Sequence, residues 1–431
     1  MSYGVFAPFK VDAKVPAIAP TQMPAAVMIA VRAIATAYAQ RLGSHGLDKL
    51  VQKQLIQRLD DAMSANAESS KGQTHRLSAK RYTCEDEYLR EQQTLFSRYP
   101  VIVGHQSQLP NVGDYLTTEL AGVPLVAIRS EIDTISVFIN ACRHRGAKLL
   151  NAERGQCKTR LICPYHAWSY DRAGHLVGVP KESSFGELDK SALGLREVRS
   201  ELRHGFIWVT LTPSSQVLSV ADHLGAAMNH DLASLNTAEH EVFRSERVSV
   251  NANWKLVMDA FAEGYHVSAL HKESIAPFFF DVTLLDDFTP HVRQVGARKS
   301  LADVDRERFT DADFREATTG FYNLFPNSIF VLHPLWISQV ILEPKAADRV
   351  DVVHNMLVPV DENLRASDSR LERSFQLIHN EVFVKEDLNI AASIQSTLKS
   401  GLEESLILGS AEEGVRLFHA ARDKALKRDR R

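Results

Sequence analysis

Two short pairs of cysteine and histidine constrain this sequence more than any other feature. Cys142-Arg-His144 and Cys163-Pro-Tyr-His166 are separated by eighteen residues. Around them, from about residue 100 to 211, short β-branched runs alternate with Gly, Asn and Asp, a pattern typical of an all-β unit with tight turns. We therefore expect each pair to lie on a loop between strands, with the two loops converging on one metal group.

The residue types restrict what that group can be. Thiolates hold iron–sulfur clusters, and two imidazoles can replace two of the thiolates on one iron. A Cys₂His₂ set also suits tetrahedral zinc, but zinc sites usually pair Cys with Cys and His with His. Because each loop mixes the two types, the pattern favours a [2Fe–2S] cluster. Cys84 and Cys157 have no neighbouring His at matching spacing, and we expect both to be inert thiols.

A second group of metal-binding side chains follows later in the chain. Asp259, Glu263 and His266 are spaced i, i+4, i+7, which places them on one face of a helix. His271 follows His266 by five residues, a rotation of about 140° on a regular helix. Both imidazoles can face one ion only if the helix ends between them or widens in a π-type turn. Two His and one carboxylate are the ligands of mononuclear Fe(II) sites that activate O₂.

These segments resemble a known family. Asn140–Ala147 and Cys163–Asp171 resemble the two cluster-binding segments of Rieske ring-hydroxylating oxygenase α subunits, and Leu109–Tyr115 resembles the segment that leads to them. The resemblance extends from about Tyr82 to Gly401. It covers both groups of metal-binding side chains.

The resemblance implies an α+β fold with two domains. Residues 96–212 are expected to form an all-β Rieske [2Fe–2S] domain. Residues 213–431 are expected to form an α+β catalytic domain of the helix-grip-like (START-like) type, which holds a mononuclear Fe(II). Residues 1–95 then form a helical N-terminal extension and lead-in.

The resemblance also implies a role for each candidate residue. The cluster ligands are Cys142, His144, Cys163 and His166. The iron ligands are His266, His271 and Asp387, with the adjacent Glu386 as the alternative to Asp387. Glu263 takes the position of a carboxylate that links the iron site of one subunit to His144 or His166 of its neighbour. Asp259 is expected to orient an iron-binding His by a hydrogen bond.

The expected activity is that of a terminal oxygenase that uses O₂ to hydroxylate or demethylate a small organic substrate. Apolar residues between the two iron-binding segments are expected to line its pocket, which favours an apolar or aromatic substrate. The main alternative is a quaternary ammonium substrate; a Rieske electron-transfer protein without oxygenase activity is a further one. The chain has no dinucleotide-binding glycine fingerprint, so electrons are expected from a separate NAD(P)H reductase, a ferredoxin, or both. The resemblance implies a homotrimer, or an α₃β₃ assembly with a small β subunit.

Charge and hydropathy exclude other classes of protein. A net charge of −3 argues against nucleic-acid binding, and no run of about 18–20 apolar residues predicts a membrane span. Four cysteines in 431 residues do not form a disulfide framework, so we expect a cytoplasmic protein. The sequence predicts helices over 24–59, 256–269 and 371–398, and strands near 329–332, 338–342 and 350–359. It also predicts a polar linker over 64–78 and a frayed, solvated basic end from Lys424.

Overall fold

The N-terminal part of the chain contributes helices to both domains. The computed structural model describes residues 46–64, 73–212 and 218–428. Helix α1 spans Lys49–Ser64 and buries Leu55 and Leu59. The helix predicted over 24–59 therefore lies partly outside the described residues, and its described part continues to Ser64.

A strand and two helices connect this segment to the β domain. They are β1 (His75–Ser78), α2 (Lys80–Thr83) and α3 (Glu85–Arg98). Residues 65–72 of the expected linker lie outside the described residues, but its end is not a linker, because β1 pairs with the strand Ser405–Leu408 near the other end of the chain. Backbone pairing of two distant segments is not visible in local composition.

The β domain consists of ten short strands in three antiparallel sheets. The sheet orders are β5-β4-β3-β6, β7-β8-β9 and β10-β11-β2. Its core contains Val126, Phe138, Trp168 and Tyr170, which surround Cys142. The strands are β2 (Val101–His105), β3 (Asp114–Leu120), β4 (Val123–Glu131), β5 (Thr134–Ile139), β6 (Arg154–Gln156), β7 (Leu161–Ile162), β8 (Ser169–Tyr170), β9 (Leu176–Gly178), β10 (Arg199–Arg203) and β11 (Phe206–Thr210).

The second domain is built on one seven-stranded antiparallel sheet. Its strand order is β12-β18-β17-β16-β15-β14-β13. The strands predicted from the sequence near 329–332, 338–342 and 350–359 are β16, β17 and β18. The bounds are β12 (His240–Val250), β13 (Phe279–Phe288), β14 (His291–Arg298), β15 (Thr318–Leu324), β16 (Ser328–Leu332), β17 (Ile337–Ala346) and β18 (Arg349–Pro359).

Helices pack against both faces of this sheet, and those on one face carry or flank the candidate metal-binding side chains. Val340 and Val352 of the sheet share a core with Val382, Phe383 and Leu388 of the long helical segment. That segment matches the helix predicted over 371–398, but its middle is a π-helix. The elements are α4 (Val220–Ser234), α5 (Trp254–Ala260), α6 (Val267–Leu270), α7 (Asp311–Ala317), α8 (Asp368–Gln376), the π-helix (Leu377–Leu388), α9 (Asn389–Lys399), β19 (Ser405–Leu408) and α10 (Glu413–Arg428).

A buried cluster of charges joins α3 to α5 and α10 of the second domain. Glu91 and Lys255 are fully buried, and the Lys255 ammonium lies 2.8 Å from the Glu91 carboxylate. Glu91 also accepts hydrogen bonds from Trp254 Nε1 at 2.9 Å and from Arg422 Nε at 2.6 Å. Removing one partner would leave an uncompensated buried charge, so the three helices are held together at this point.

The C-terminal helix is packed rather than frayed as far as it is described. Phe418, His419, Arg422 and Leu426 of α10 are buried. The expectation of a solvated end from Lys424 is therefore wrong for the described part of that segment, because its apolar face packs against α3 and α5. No helix among the described residues is long and apolar enough to cross a lipid bilayer.

Candidate cluster site and iron site

The two Cys–His loops share one backbone design. The N–H of Cys142 and that of Cys163 each donate to the carbonyl of the fifth residue after them, at 2.8 Å in both loops. The fourth residue after each Cys donates back to the carbonyl of that Cys and has a positive φ, 76° for Gly146 and 58° for Ala167. These hydrogen bonds close each loop at its cysteine, and the histidine that follows lies at the tip of the loop.

The four side chains converge between these loops. The ring centroids of His144 and His166 are 4.7 Å apart. Cys142 and Cys163 are buried, whereas His166 is exposed and His144 is half-buried. His144 also stacks on Trp168, with ring centroids 4.9 Å apart. The two thiols therefore lie inside and the two imidazoles outside.

This donor set fits a [2Fe–2S] cluster. Burial raises the pKa of the Cys142 thiol, so a thiolate at this position needs a positively charged partner such as iron. The Tyr170 hydroxyl lies 3.3 Å from Cys142 Sγ and accepts a hydrogen bond from the N–H of Arg143 at 3.0 Å. Two buried thiols and two outer imidazoles are the arrangement expected when the two histidines share one iron.

The two histidines expected to bind iron lie beyond an interruption of their helix. Helix α5 starts where the Asn253 side chain accepts the N–H of Lys255 and ends at Ala260. His266 and His271 then flank the one-turn helix α6. The interruption therefore comes before His266, earlier than expected. The π-type geometry expected here occurs instead in the π-helix that carries the carboxylates.

Three side chains meet at one point in the described structure. Ligand atoms of His266, His271 and Asp387 lie within 4.8 Å of one another. Asp387 Oδ1 lies 3.2 Å from Nε2 of His271 and 3.7 Å from Nε2 of His266, yet this buried oxygen has no hydrogen-bond partner. A buried carboxylate oxygen without a partner is costly. A cation between these three atoms would remove that cost.

Two glutamates hold the outer nitrogens of the same histidines. Glu263 Oε1 lies 2.5 Å from Nδ1 of His266, and Glu386 Oε2 lies 2.7 Å from Nδ1 of His271. Glu386 also accepts a hydrogen bond from the Ser274 hydroxyl at 2.7 Å. Burial lowers the pKa of His271, but the carboxylates beside it outweigh burial and raise that pKa overall. With Nδ1 engaged, each histidine directs Nε2 to the shared point.

Two family models match the chain. The model of the Rieske [2Fe-2S] domain matches residues 99–197, and the model of the catalytic domain of the ring hydroxylating alpha subunit matches residues 236–428. The chain belongs to the Rieske ring-hydroxylating oxygenases. It is a Rieske-type non-haem iron oxygenase with a [2Fe–2S] cluster and a mononuclear iron, and the expected α+β fold is confirmed. The exact domain boundaries, 96–212 and 213–431, stay predictions.

Known Rieske oxygenases of two kinds are similar to the chain. The carnitine monooxygenase oxygenase subunit of Escherichia coli (strain K12) is 28% identical over 359 residues, 80% of this chain and 91% of the relative. The benzene 1,2-dioxygenase subunit alpha of Pseudomonas putida is 34% identical over 196 residues, 44% of this chain and 43% of the relative.

Solved structures of both kinds share the fold. A quaternary ammonium Rieske monooxygenase in complex with L-carnitine aligns with a TM-score of 0.68 and 22% identity, over 80% of this chain and 94% of that chain. Naphthalene 1,2-dioxygenase from Rhodococcus sp. aligns with a TM-score of 0.69 and 21% identity, over 87% and 98%. At this identity the likeness concerns the fold alone.

In this Rieske oxygenase, Asp259 does not contact an iron-binding histidine. Its carboxylate accepts a hydrogen bond from the Tyr82 hydroxyl at 2.7 Å and lies 3.1 Å from His419 Nε2. The expected hydrogen bond to His266 or His271 is therefore wrong. The physical reason is that α5 ends one residue after Asp259, so the helical register assumed in the spacing argument does not continue. Asp259 instead ties α5 to α2 and α10.

A cavity of about 380 Å³ opens onto the iron site of the Rieske oxygenase. Glu263, His266, His271 and Asp387 lie in its wall. As expected, residues between the two iron-binding segments provide much of the apolar lining. The phenylalanines that line it are Phe261, Phe279, Phe280, Phe321 and Phe383.

Some contacts of the site were not predicted from the sequence. Glu386 was considered only as an alternative ligand, yet it binds the outer nitrogen of His271. Its position next to Asp387 could have indicated this second role. Neighbouring residues on a helix point in directions about 100° apart, so the two carboxylates cannot easily face one ion. Nothing in the sequence indicated that Tyr170 would contact Cys142.

Proposed function

We propose specific ligands for the two metal groups of this oxygenase. The cluster ligands are Cys142 and Cys163 on one iron and His144 and His166 on the other, and the mononuclear Fe(II) ligands are His266, His271 and Asp387. One observation carries the iron assignment: the buried, unpartnered Oδ1 of Asp387 lies next to Nε2 of both histidines, at the wall of an apolar cavity.

The chain's own residues then prepare the reaction. Bound Fe(II) supplies the open coordination positions at which O₂ is activated beside a substrate. Glu263 and Glu386 hold the Nδ1 protons of His266 and His271, so that both Nε2 atoms remain available to the metal. The phenylalanine side chains give the cavity an apolar wall, which limits the access of water to the site.

We assign Glu263 to the contact between subunits. Its carboxylate binds His266 on one side and accepts the backbone N–H of His266 at 3.1 Å, and it lies beside Tyr265, which is 68% exposed. His166, at the tip of a cluster loop, is also exposed. These features support a homotrimer, or an α₃β₃ assembly, in which Glu263 of one subunit meets a cluster-loop histidine of the next. The electron donor is proposed to be a ferredoxin or an NAD(P)H reductase in the cytoplasm.

The iron assignment is tested by Asp387→Asn. The wild-type protein should contain about three iron atoms per chain, two in the cluster and one mononuclear. The variant should contain about two, keep the visible and EPR spectra of the reduced cluster, and lose O₂-dependent product formation. Glu381→Gln is the matched control, because Glu381 is exposed on the same π-helix and, among the described residues, pairs only with Lys385. A variant that keeps three iron atoms and turnover would refute the assignment.

The bridging assignment is tested by Glu263→Gln. This change keeps the length of the side chain but removes its charge. Both metals should remain, while the rate of product formation in a single turnover of the pre-reduced protein should fall. Glu273→Gln, at an exposed position nearby, is the control. An unchanged single-turnover rate would refute the assignment of Glu263 to the contact between subunits.

We propose that the substrate is an apolar or aromatic compound. The lining supports this proposal, since five phenylalanines surround a cavity whose charged side chains are mainly those of the iron site, with Lys272 and Asp281 exposed at its rim. A quaternary ammonium substrate is the second candidate, because the relative aligned over 91% of its length is a carnitine monooxygenase and aromatic rings attract such cations. Product analysis with benzene-type and betaine-type compounds separates the two.

A further inference from the structure

One polar side chain stands out in the apolar part of the cavity. Of the described residues that line it, Gln294 is the buried polar one that does not belong to the iron site. It is 3% exposed and lies on β14, directly opposite Phe321 on β15. Burying an amide among phenylalanines is unfavourable unless both of its ends find partners.

The orientation of this amide is fixed by its neighbour. Gln294 Nε2 lies 3.1 Å from the carbonyl oxygen of Phe261. A peptide carbonyl can only accept a hydrogen bond, so the nitrogen of the amide must face Phe261. The amide oxygen Oε1 is therefore on the other side, and it receives no hydrogen bond from any described residue. Oε1 is also not one of the solvent-inaccessible side-chain atoms that lack a hydrogen-bond partner, so part of its surface stays accessible.

Two aromatic rings and a glycine lie in the cavity wall near Gln294. Phe261 and Phe383 pack edge to face, with ring centroids 5.1 Å apart and planes at 82°, which fixes both rings. Gly296, two residues along the same face of β14, leaves space in the wall. A Cβ at Gly296 would lie 3.7 Å from Phe279 and 3.8 Å from Thr283 Oγ1, which is ordinary contact. Packing alone therefore does not require glycine here, and a glycine inside a strand often marks a place where a ligand approaches.

We infer that Gln294 determines the substrate class of this oxygenase: an aromatic or heteroaromatic ring that carries an N–H or O–H group, which donates to Gln294 Oε1. The inference rests on the proposed function, because it assigns the substrate of the same cavity. The ring lies against the phenylalanines and beside Gly296. A trimethylammonium group has no N–H and cannot itself donate to Oε1, so the same geometry disfavours a quaternary ammonium compound without an O–H or N–H elsewhere.

The test measures binding without turnover. Wild-type holoenzyme and Gln294→Leu are each dialysed anaerobically against 1-naphthol, 1-methylnaphthalene and phenyltrimethylammonium. The first two have the same outline but differ in one O–H donor. Wild-type protein should bind 1-naphthol about tenfold more tightly than 1-methylnaphthalene, the ratio that about 1.4 kcal/mol for one hydrogen bond gives. In Gln294→Leu the ratio should fall to about one, because 1-naphthol loses affinity and 1-methylnaphthalene does not.

Several results would overturn the inference. A wild-type ratio near one would do so, as would an unchanged ratio in Gln294→Leu, since a merely structural tie to Phe261 would weaken all three ligands equally. Tighter binding of phenyltrimethylammonium than of 1-naphthol would also count against it. Gly296→Ala provides the second variant: it should keep the preference for a donor in the smaller pair phenol and toluene, while weakening both naphthalene compounds.

The same samples separate this inference from the proposed function. Reductase and O₂ are added after the binding measurement, and oxygenated products are sought from each ring compound. Binding that keeps its dependence on Gln294 but yields no product from any compound would refute the assigned oxygenase site and leave the ligand contact standing. Hydroxylation of both naphthalene compounds, bound with equal affinity, would support the proposed oxygenase site and refute the hydrogen bond to Gln294.

Discussion

The cluster site and the iron site are assembled in opposite ways. The cluster side chains come from two loops within residues 142–166, each closed by hydrogen bonds on its own cysteine. The iron-site side chains come from segments 116 positions apart, since His271 and Asp387 meet only when α6 packs beside the π-helix. A site built from local loops depends mainly on its own turns, whereas a site built from distant segments depends on the packing of a whole domain.

The largest expected effect separates the two sites. Cys163→Ala should remove the cluster, with its visible absorption, and abolish turnover driven by reductase. The mononuclear site should survive and bind about one Fe(II) per chain, because none of its residues contacts the cluster loops of the same chain in the described structure. Iron and sulfide analysis measures this. Loss of both metals would show that the sites are not independent within one chain.

A fall in pH should destabilise the domain that holds the iron site before it destabilises the β domain. Burial lowers the pKa of His223 to about 3 and that of His291 to about 4, below the value of about 6.5 in the unfolded chain. Below pH 6.5 the folded state therefore binds fewer protons, so stability is complete above that pH and falls as the pH drops towards 4. For this pair the loss should be about 3 kcal/mol at pH 5.5.

Urea unfolding at pH 7.5 and 5.5 measures this loss. His291→Asn should reduce the loss of stability between pH 7.5 and 5.5 by about 1.4 kcal/mol, the share of one buried histidine. His175→Asn, at an exposed position of the β domain, should leave it unchanged. Equal pH dependence in wild type and His291→Asn would contradict the assignment to these buried rings.

Glu386 should matter for metal affinity although it is not one of the proposed ligands. Glu386→Ala removes the acceptor for Nδ1 of His271 and should weaken Fe(II) binding about 10–100-fold. The cluster should be unaffected. Titration of the iron-depleted protein with Fe(II) gives the affinity, and Glu381→Ala on the same helix is the control. If Glu386→Ala abolished binding altogether, Glu386 would have to be a ligand itself.

The smallest expected effect is a change in the stability of each cluster loop, with opposite sign in the two loops. Gly146 and Ala167 occupy equivalent positions with positive φ. Gly146→Ala should destabilise its loop by about 1 kcal/mol, because a Cβ there touches nothing and only the backbone is strained. Ala167→Gly should stabilise the other loop by up to about 1 kcal/mol. The temperature at which the cluster absorbance is lost measures both, and opposite signs are expected.

Much of the cluster site could be predicted from the sequence. Residue types and spacing were sufficient for the two Cys–His loops, because each loop is short and its backbone is closed locally. The five-residue spacing of His266 and His271 correctly indicated that the helix could not be regular. It did not indicate where the break lies, since a helix end depends on what Phe261 and its neighbours pack against.

Only the tertiary structure decided the rest of the iron site. It distinguished Asp387, whose carboxylate faces Nε2 of both histidines, from Glu386, which binds Nδ1 of His271. It moved Asp259 to a contact with Tyr82 and His419, and it placed Gln294 in the cavity wall. The physical reason is the same in each case. The direction of a side chain follows from the element that carries it, but its partner comes from an element far away in the chain, so only packing brings the two together.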